Sequence, residues 1–519
     1  MTPDHRPVET EIKFRLTPTA LAAIERHPIV SGSPVVSEQR QVTTYFDTPQ
    51  LDLARQGISL RIRRNGERRM QTVKAIDARA VAARRGEWEQ PVAGDAPDLE
   101  AAADTPAGPV LRAVAGAMLR PVFTTDIRRG SRVLRPDGDT VIEAAFDQGT
   151  ITAETNSAPV FELELELKHG ELGALYRLAI ELAAAGGLVI EPAGKAERGF
   201  RLRSGKDPEA AKAADIEMTP DLTAEAAFGA IVRSGLSHVL ANMQAAHLGD
   251  PEGVHQLRIA IRRLRAALLL FRPLLQHETT KRFGAELQRA GQVFGAARDW
   301  DVFVLDSVPA ASADRTAPGW LELLREPAEL RRAAALTRLR QELDGPTFTA
   351  LLLGLAGWVE DASRHPLVAG NEQLLRPIAE IAPELIERVA HKVAKRGKGV
   401  GNAGHEALHD LRKAVKKLRY SVEFAAALYP RKPGQRLIKA CKDLQELLGA
   451  ANDAAVTPEL AGQLAEARAE LAPAVGELAD WAAARGRKAL RRVPKSWRKL
   501  RDAEGFWRQG RKFNAARSG

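Results

Sequence analysis

Residues 8–16 read V-E-T-E-I-K-F-R-L. Glu9, Glu11, Lys13 and Arg15 alternate with Val8, Thr10, Ile12, Phe14 and Leu16. A period of two is the signature of a strand, and it gathers the four charges on one face. A face with two acids and two bases cannot be pressed against an apolar core. It must meet water, a metal or a charged ligand. Carboxylates hold divalent cations through oxygen, and bases hold the phosphates that such cations accompany. A solvated sheet edge would explain one such segment, but the pattern recurs along the strands that follow.

Ile58 to Arg64 alternates again, with Leu60 and Ile62 on one face and Arg61 and Arg63 on the other. Asn65-Gly66 signals a hairpin, and the return strand from Met70 places Thr72 and Lys74 together. Arg85 to Glu89 sets Glu87 and Glu89 opposite Trp88. Pro121–Leu134 and Thr140–Ile151 read as a strand pair around Asp137-Gly138, the second carrying Glu143 and Asp147. Residues 161–168 read F-E-L-E-L-E-L-K, with Glu162, Glu164, Glu166 and Lys168 on one face and three leucines on the other. So many two-faced strands predict a closed or nearly closed antiparallel barrel. Its charged faces line the inside, and helices at 17–27, 94–119 and 171–185 cover its apolar outside. An interior lined with both signs is a site for a polyanion and its metal, and the charges pair with one another when it is empty.

The ordered set E-T-E-I-K, Arg61 and Arg63, Lys74, E-L-E-L-E-L-K and Lys195-Ala-Glu-Arg-Gly199 resembles the CYTH superfamily, the triphosphate tunnel metalloenzymes. The resemblance covers about residues 6–203. It implies an antiparallel tunnel binding a triphosphate with Mg²⁺ or Mn²⁺. Carried over residue by residue, Glu9, Glu11, Glu162, Glu164 and Glu166 would hold one or two metals, with Asp147 where the family often has an acid. Lys13, Arg61, Arg63, Lys74 and Lys195 would bind phosphate. Arg129 is a further match, with Arg128 beside it leaving the register open. Glu9 or Glu11, with Lys13 beside them, would make up the catalytic group that orients the attacking water. Phosphoryl transfer needs mainly charge neutralisation and in-line placement, which such a set supplies.

The chain has 519 residues, more than one core accommodates, so two or more domains are expected. One cysteine, Cys441, excludes a disulfide framework or a cysteine metal cluster. The polar start and the absence of a long apolar run predict a soluble, cytoplasmic protein with no signal peptide. The net charge of +10 is uneven: residues 1–206 hold 28 basic and 28 acidic residues, so the whole excess lies beyond them. That second half should attract polyanions.

Pro-, Gly- and Ala-containing residues 205–220 read as a linker between domains at 1–204 and 221–519. Beyond them the pattern is all-α. His255-x-x-Arg258-x-x-x-Arg262-Arg263-x-Arg265 recurs as His409-x-x-Arg412-x-x-x-Lys416-Lys417-x-Arg419, an offset of 154 at every position. The same offset carries Gly295-Ala-Ala-Arg298-Asp299 onto Gly449-Ala-Ala-Asn452-Asp453. Two copies of one helical unit, packed as pseudo-symmetric halves, are expected. At 100° per residue each motif forms a basic stripe opposite an apolar one, Leu257, Ile261, Leu264 and Leu268 in the first copy. The duplicated motif resembles the CHAD domain, the conserved-histidine α-helical domain, over about 221–510. That resemblance implies binding of inorganic polyphosphate through the ten motif residues. Lys416 and Lys417 replace arginines, keeping charge without bidentate geometry.

A literal H-E-x-x-H at His405–His409 is set aside as a zinc site, since the repeat already explains His409 and the helix is cationic. The sequence as a whole predicts an α+β tunnel followed by an all-α bundle. The expected activity is metal-dependent hydrolysis of inorganic triphosphate, as in bacterial CYTH-CHAD triphosphatases. Polyphosphate is the expected partner of the second half, with association with polyphosphate granules as a corollary. A thiamine triphosphatase, a class IV-type adenylate cyclase, or a non-enzymatic polyphosphate-binding protein are the alternatives.

Overall fold

A computed structural model describes residues 8–75, 83–103, 105, 107–114, 119–314, 319–361, 371–503 and 505–508; the side chains of residues 8, 9, 75, 83–87, 320 and 361 lie outside the description. The chain divides into two compact units. One comprises Met1–Ala211 with Leu240–Ala245 and Leu343–Asp361, and the other takes the rest.

Among the described residues nine strands form one antiparallel sheet: β1 (Val8–Arg15), β2 (Val35–Asp47), β3 (Ile58–Asn65), β4 (Arg68–Ala75), β5 (Ala83–Pro91), β6 (Arg120–Leu134), β7 (Val141–Ala153), β8 (Asn156–His169) and β9 (Val189–Ile190). Their order is β5-β4-β3-β2-β6-β7-β8-β1-β9, and β1 also pairs with β5, which closes the sheet into a ring. β1 divides its length: Val8–Glu11 lie against β5, while Glu11–Arg15 lie against β8. The outside is apolar. Ile12 and Phe14 are fully buried, and Leu60, Ile62 and Val73 share a cluster with Leu111 and Val114. Helices α1 (Pro18–Arg26), α2 (Pro28–Ser31), α3 (Asp52–Arg55), α4 (Gly108–Val114), α5 (Leu172–Gly186) and α6 (Lys195–Ser204) accompany the sheet.

Local chemistry fixes the joints. Asn65 pairs with Arg68 across a tight turn in which Gly66 takes φ +60°, a conformation that glycine adopts without a Cβ penalty. Asp47, fully buried, accepts the backbone N–H groups of Thr48, Leu53 and Ala54 and pins α3 to the end of β2. Burial pushes the Asp47 carboxyl up, and those three donors oppose the shift. The helix expected over 94–119 is much shorter. Only Gly108–Val114 is helical among the described residues there, and Gln71 instead ties the turn before it through both N and O of Asp98. Pro97 and Asp98 favour such a turn over a helix interior.

The second unit is helical: α7 (Ala224–Leu248), α8 (Pro251–Phe271), α9 (His277–Val302), α10 (Val308–Ala313), α11 (Gly319–Glu322), α12 (Arg325–Leu343), α13 (Pro346–Asp361), α14 (Ile378–Arg396), α15 (His405–Phe424), α16 (Arg431–Ala465), α17 (Ala472–Leu490) and α18 (Val493–Ala503) follow in the chain, α13 falling in the first unit. Helices α14, α15 and α16 start 154 residues after α7, α8 and α9. Asp250 caps α8 by accepting from the N–H groups of Glu252 and Gly253, with Pro251 in the first turn. Leu257, Ile261, Leu264 and Leu268 of α8 are buried, as are Leu411, Val415, Leu418 and Val422 of α15. Among the described residues no helix is long and apolar enough to cross a membrane.

Candidate functional site

The ring of strands encloses a cavity of about 620 Å³. Register builds its walls. Glu11 on β1 lies opposite Glu166 on β8, which lies opposite Glu143 on β7, so three carboxylates stand side by side across three strands. Like charges placed so repel unless a cation intervenes. Lys13 contacts Glu11 at 3.1 Å, and Lys168 contacts Glu143 at 3.2 Å and Glu166 at 2.6 Å. Burial raises the Glu166 pKa, Lys168 opposes the rise, and Glu143 and Glu11 add to it.

One step along the strands lies a denser cluster. Glu164 accepts from Lys13 Nζ at 2.8 Å, Lys195 Nζ at 2.8 Å and Arg129 Nη2 at 2.5 Å. Asp147 takes a bidentate pair from Arg129, and Glu162 pairs with Arg198. The Lys195 ammonium also contacts Asp147 and Glu162, each at 2.7 Å. Carboxylate oxygens of Asp147, Glu162 and Glu164 all lie within 4.8 Å of one another. Burial acts to raise the Glu164 pKa, but Lys13, Lys195 and Arg129 outweigh it and hold the carboxyl well below its ordinary range. Burial likewise acts to lower the Lys195 pKa, and the three carboxylates carry it well above the ordinary lysine range. Lys195 opens α6, whose N-terminus adds partial positive charge to the same wall. The helix can come this close because a Cβ on Gly199 would lie 2.1 Å from the Phe123 ring.

The opposite wall is basic and polar. Arg61, Arg63 and Lys74 face the cavity from β3 and β4. Arg61 lies 3.4 Å from the Tyr45 hydroxyl, and Arg63 stands 3.9 Å from Glu89. The charge on Arg61, followed by burial, lowers the Arg63 pKa. Along β2 the alternate residues Ser37, Gln39, Gln41, Thr43 and Tyr45 complete the lining.

The helical unit has its own cavity, about 770 Å³, between α8, α9, α15 and α16. Among its described lining residues are eight arginines and lysines, Arg258, Arg262, Arg265, Arg298, Arg412, Lys413, Lys416 and Lys417, against two acids, Asp299 and Asp453. Arg258 donates to Asp299 at 3.0 Å, and His409 Nδ1 lies 2.8 Å from the Asn452 side-chain oxygen. Burial, then Arg262, Arg412 and Arg258, depress the Lys416 pKa to about 6. Burial and the nearby Arg298 lower that of His255.

Family comparison matches a CYTH domain over residues 8–200 and a CHAD domain over 230–462. The chain is a CYTH domain followed by a CHAD domain. An inorganic triphosphatase of Haemophilus influenzae is 29% identical over 206 residues. That match takes in 38% of this chain and 55% of the relative, so the chain spans about half of the relative's length. An uncharacterized protein of Mycobacterium tuberculosis is 26% identical over 546 residues, covering 96% of this chain and 98% of its own. Among solved structures, the CHAD domain of the plant Ricinus communis shows 27% identity and a TM-score of 0.49, covering 56% of this chain and 96% of its own.

A CYTH domain implies a divalent metal, and the residues fit one. Carboxylates are hard oxygen donors suited to Mg²⁺ or Mn²⁺. The Asp147–Glu162–Glu164 cluster already has the Lys195 ammonium against all three groups. Along the cross-strand row, Lys13 contacts Glu11, and Lys168 contacts Glu166 and Glu143.

The structure brings Glu11, Lys13, Arg61, Arg63, Lys74, Arg129, Asp147, Glu164, Glu166 and Lys195 to the lining of one cavity. Glu162 sits behind it, held by Lys195 and Arg198. Glu9 belongs to β1, but its side chain lies outside the described residues. Arg129 faces inward, whereas Arg128 is exposed and pairs with Glu38. In the CHAD domain His255, Arg258, Arg262, Arg265, His409, Arg412, Lys416 and Lys417 share the cavity. Arg263 and Arg419 do not line it: both turn to Glu423, at 3.2 and 3.5 Å, and Arg263 also stacks over Phe424. Sequence reading missed Arg198 and the polar ladder of β2. The ladder carried a period of two, but without charge it looked like any solvated face. Arg298 and Asn452 were visible as repeat positions and were not read as part of a site.

Proposed function

We propose that the CYTH domain hydrolyses inorganic triphosphate to diphosphate and phosphate with Mg²⁺ or Mn²⁺, and that the CHAD domain binds inorganic polyphosphate. The observation that supports the first part is the division of the tunnel interior into a carboxylate wall on β1, β7 and β8 and a basic wall on β3 and β4. Glu11, Glu166 and Glu143, with Glu9 two residues back on the same strand, would hold the metal. When bound, it would neutralise phosphate oxygens and lower the pKa of a water. Arg61, Arg63 and Lys74 bind the phosphates from the other side and stabilise charge on the leaving diphosphate. Lys13 and Arg129 face the same space, and Glu164 fixes both in orientation. Glu11 orients the attacking water. Among the described lining residues only Ile127, Ala196 and Tyr45 are apolar or aromatic, and the Tyr45 ring is already stacked on Phe123. A nucleobase or a thiamine ring would want an apolar or stacking wall, so the lining favours an inorganic chain over a cyclase or thiamine substrate. Phosphate release measured across triphosphate, thiamine triphosphate, ATP and long polyphosphate, with and without metal, tests the reading. No metal-dependent turnover of triphosphate would overturn it.

The excess of cations over acids in the helical cavity supports the second part. Arg258→Glu with Arg412→Glu reverses two charges at equivalent motif positions while leaving the buried leucines untouched. Long-chain polyphosphate binding is expected to fall steeply, and wild-type binding to weaken as salt rises, by release of condensed counterions. Titration at two salt concentrations checks it. Retained binding in the double variant at low salt would remove the cavity from consideration.

Lys416 adds a pH signature. With a pKa of about 6, its amine is mostly neutral at pH 7. A bound polyanion favours the charged form and raises that pKa, so binding takes up a proton. Affinity is expected to strengthen as pH falls from 8 toward 6. Calorimetry in buffers of different ionisation enthalpy should show net proton uptake at pH 7, and uptake should drop in Lys416→Met.

A further inference from the structure

Beside the central cavity of the CHAD domain lies a second groove, of about 710 Å³, between the C-terminal end of α8, α14 and α15. Six cationic side chains line it: Arg272 just past α8, Arg388, Lys392, Lys395 and Arg396 on α14, and Lys417 on α15. No carboxylate is among its described lining residues. The four positions on α14 fall at i, i+4, i+7 and i+8, one face of the helix, while Ile386, Ala390 and Val393 are buried on the opposite face. Arg388 donates to the Leu270 carbonyl, and Arg396 reaches only 3.9 Å from Asp410. Like charges one turn apart repel, and here they repel over an apolar floor of Ala266, Leu269, Leu270 and Val389.

Lys417 lines both spaces. It is flanked by Arg265 and Lys413, which belong to the central cavity, and by Arg396 and Lys392, which belong to the groove. The two cationic surfaces are therefore continuous through one side chain. The row of bases on α14 has no counterpart in sequence at the offset of the repeated motif. The residues 154 positions before Arg388, Lys392, Lys395 and Arg396 are Ser234, His238, Ala241 and Asn242, none of them lysine or arginine.

We propose that this groove is a second polyanion subsite, and that a linear polyphosphate longer than the central cavity accommodates passes Lys417 and lies along α14. The inference rests on the polyphosphate reading of the central cavity and adds a direction to it. A chain engaging both surfaces gains effective concentration for the second contact set. Nucleic acid, the other linear polyanion, finds no aromatic side chain among the described lining residues of the groove on which to stack a base.

The test is the double variant Lys392→Glu with Lys395→Glu, both exposed positions on the outer face of α14. Binding of tetraphosphate, long-chain polyphosphate and single-stranded DNA to the full chain is measured at two salt concentrations. Wild type is expected to bind the long chain more tightly than tetraphosphate, and the variant to lose at least about tenfold of long-chain affinity with a shallower salt dependence. Tetraphosphate binding and the circular dichroism spectrum should stay as in wild type. Unchanged long-chain binding in the folded variant overturns the groove while leaving the central cavity standing. A wild type that binds neither phosphate chain overturns the polyphosphate reading itself. DNA binding stronger than polyphosphate binding, and lost in the variant, overturns the assigned occupant.

Discussion

Glu11→Gln is expected to cut triphosphate hydrolysis by at least about 10²-fold, since preorganised charge usually supplies the largest catalytic contribution in such sites. Glutamine keeps the size and removes one of the three carboxylates aligned across β1, β8 and β7. Lys13 keeps its 2.8 Å bond to Glu164, so its ammonium stays in place, and the basic wall on β3 and β4 is untouched. The metal concentration for half-maximal activity should rise at the same time, which a purely structural defect would not produce. Thermal unfolding should be little changed, because removing one member of a like-charged row relieves repulsion. Wild-type turnover at saturating metal would show that Glu11 holds neither metal nor water.

The second large effect is on stability. Lys195→Ala removes an ammonium that touches Asp147, Glu162 and Glu164, all more than nine-tenths buried. Breaking a buried ion pair from one side costs about 3–5 kcal/mol, because the partner charges stay behind unneutralised. For a unit of this size that corresponds to a fall in Tm of roughly 6–20 °C. Arg129, Arg198 and Lys13 remain and keep the loss within that range. The variant leaves three oxygen donors within 4.8 Å of one another without their shared cation. Mn²⁺ should therefore raise its Tm by more than it raises that of wild type. A variant as stable as wild type, or indifferent to Mn²⁺, would show that Lys195 is a bystander to the cluster.

Much of the tunnel was legible because a strand writes its two faces in alternate letters. Leu60 and Ile62 against Arg61 and Arg63 allowed only one assignment once a core had to form on one side. What periodicity could not give was depth. Glu162, Glu164 and Glu166 share a face, yet Glu166 stands in the row with Glu11, Glu164 gathers three bases, and Glu162 is sealed behind them. That difference is set by neighbours on β1, β7 and α6, and only the register reveals it. Arg128 and Arg129 were indistinguishable in sequence for the same reason, and β2 separates them by pairing Arg128 with Glu38 on the outer face. In the helical half, a wheel placed Arg263 and Arg419 with the basic stripe. Each lies at its flank, where a single carboxylate, Glu423, draws both away. Glu423 follows the motif by four residues and stands where the first copy has Leu269, so the repeat itself gave no hint of it.

The closure of the ring through β1 bears on how the protein is made. The strand that seals the sheet is made before the other eight, and although its partner β5 (Ala83–Pro91) follows early, its partner β8 (Asn156–His169) comes far later in the chain. At typical elongation rates of 5–20 residues per second the wait is on the order of 10 s. For that interval the Glu11–Arg15 stretch of β1 lacks its β8 partner, the condition under which nascent strands join one another. Glu11, Lys13 and Arg15 on one face make such mispairing unfavourable, since a flat, uncharged partner cannot neutralise them. The alternation that later serves a phosphate chain thus first keeps the newborn strand single until its own barrel arrives.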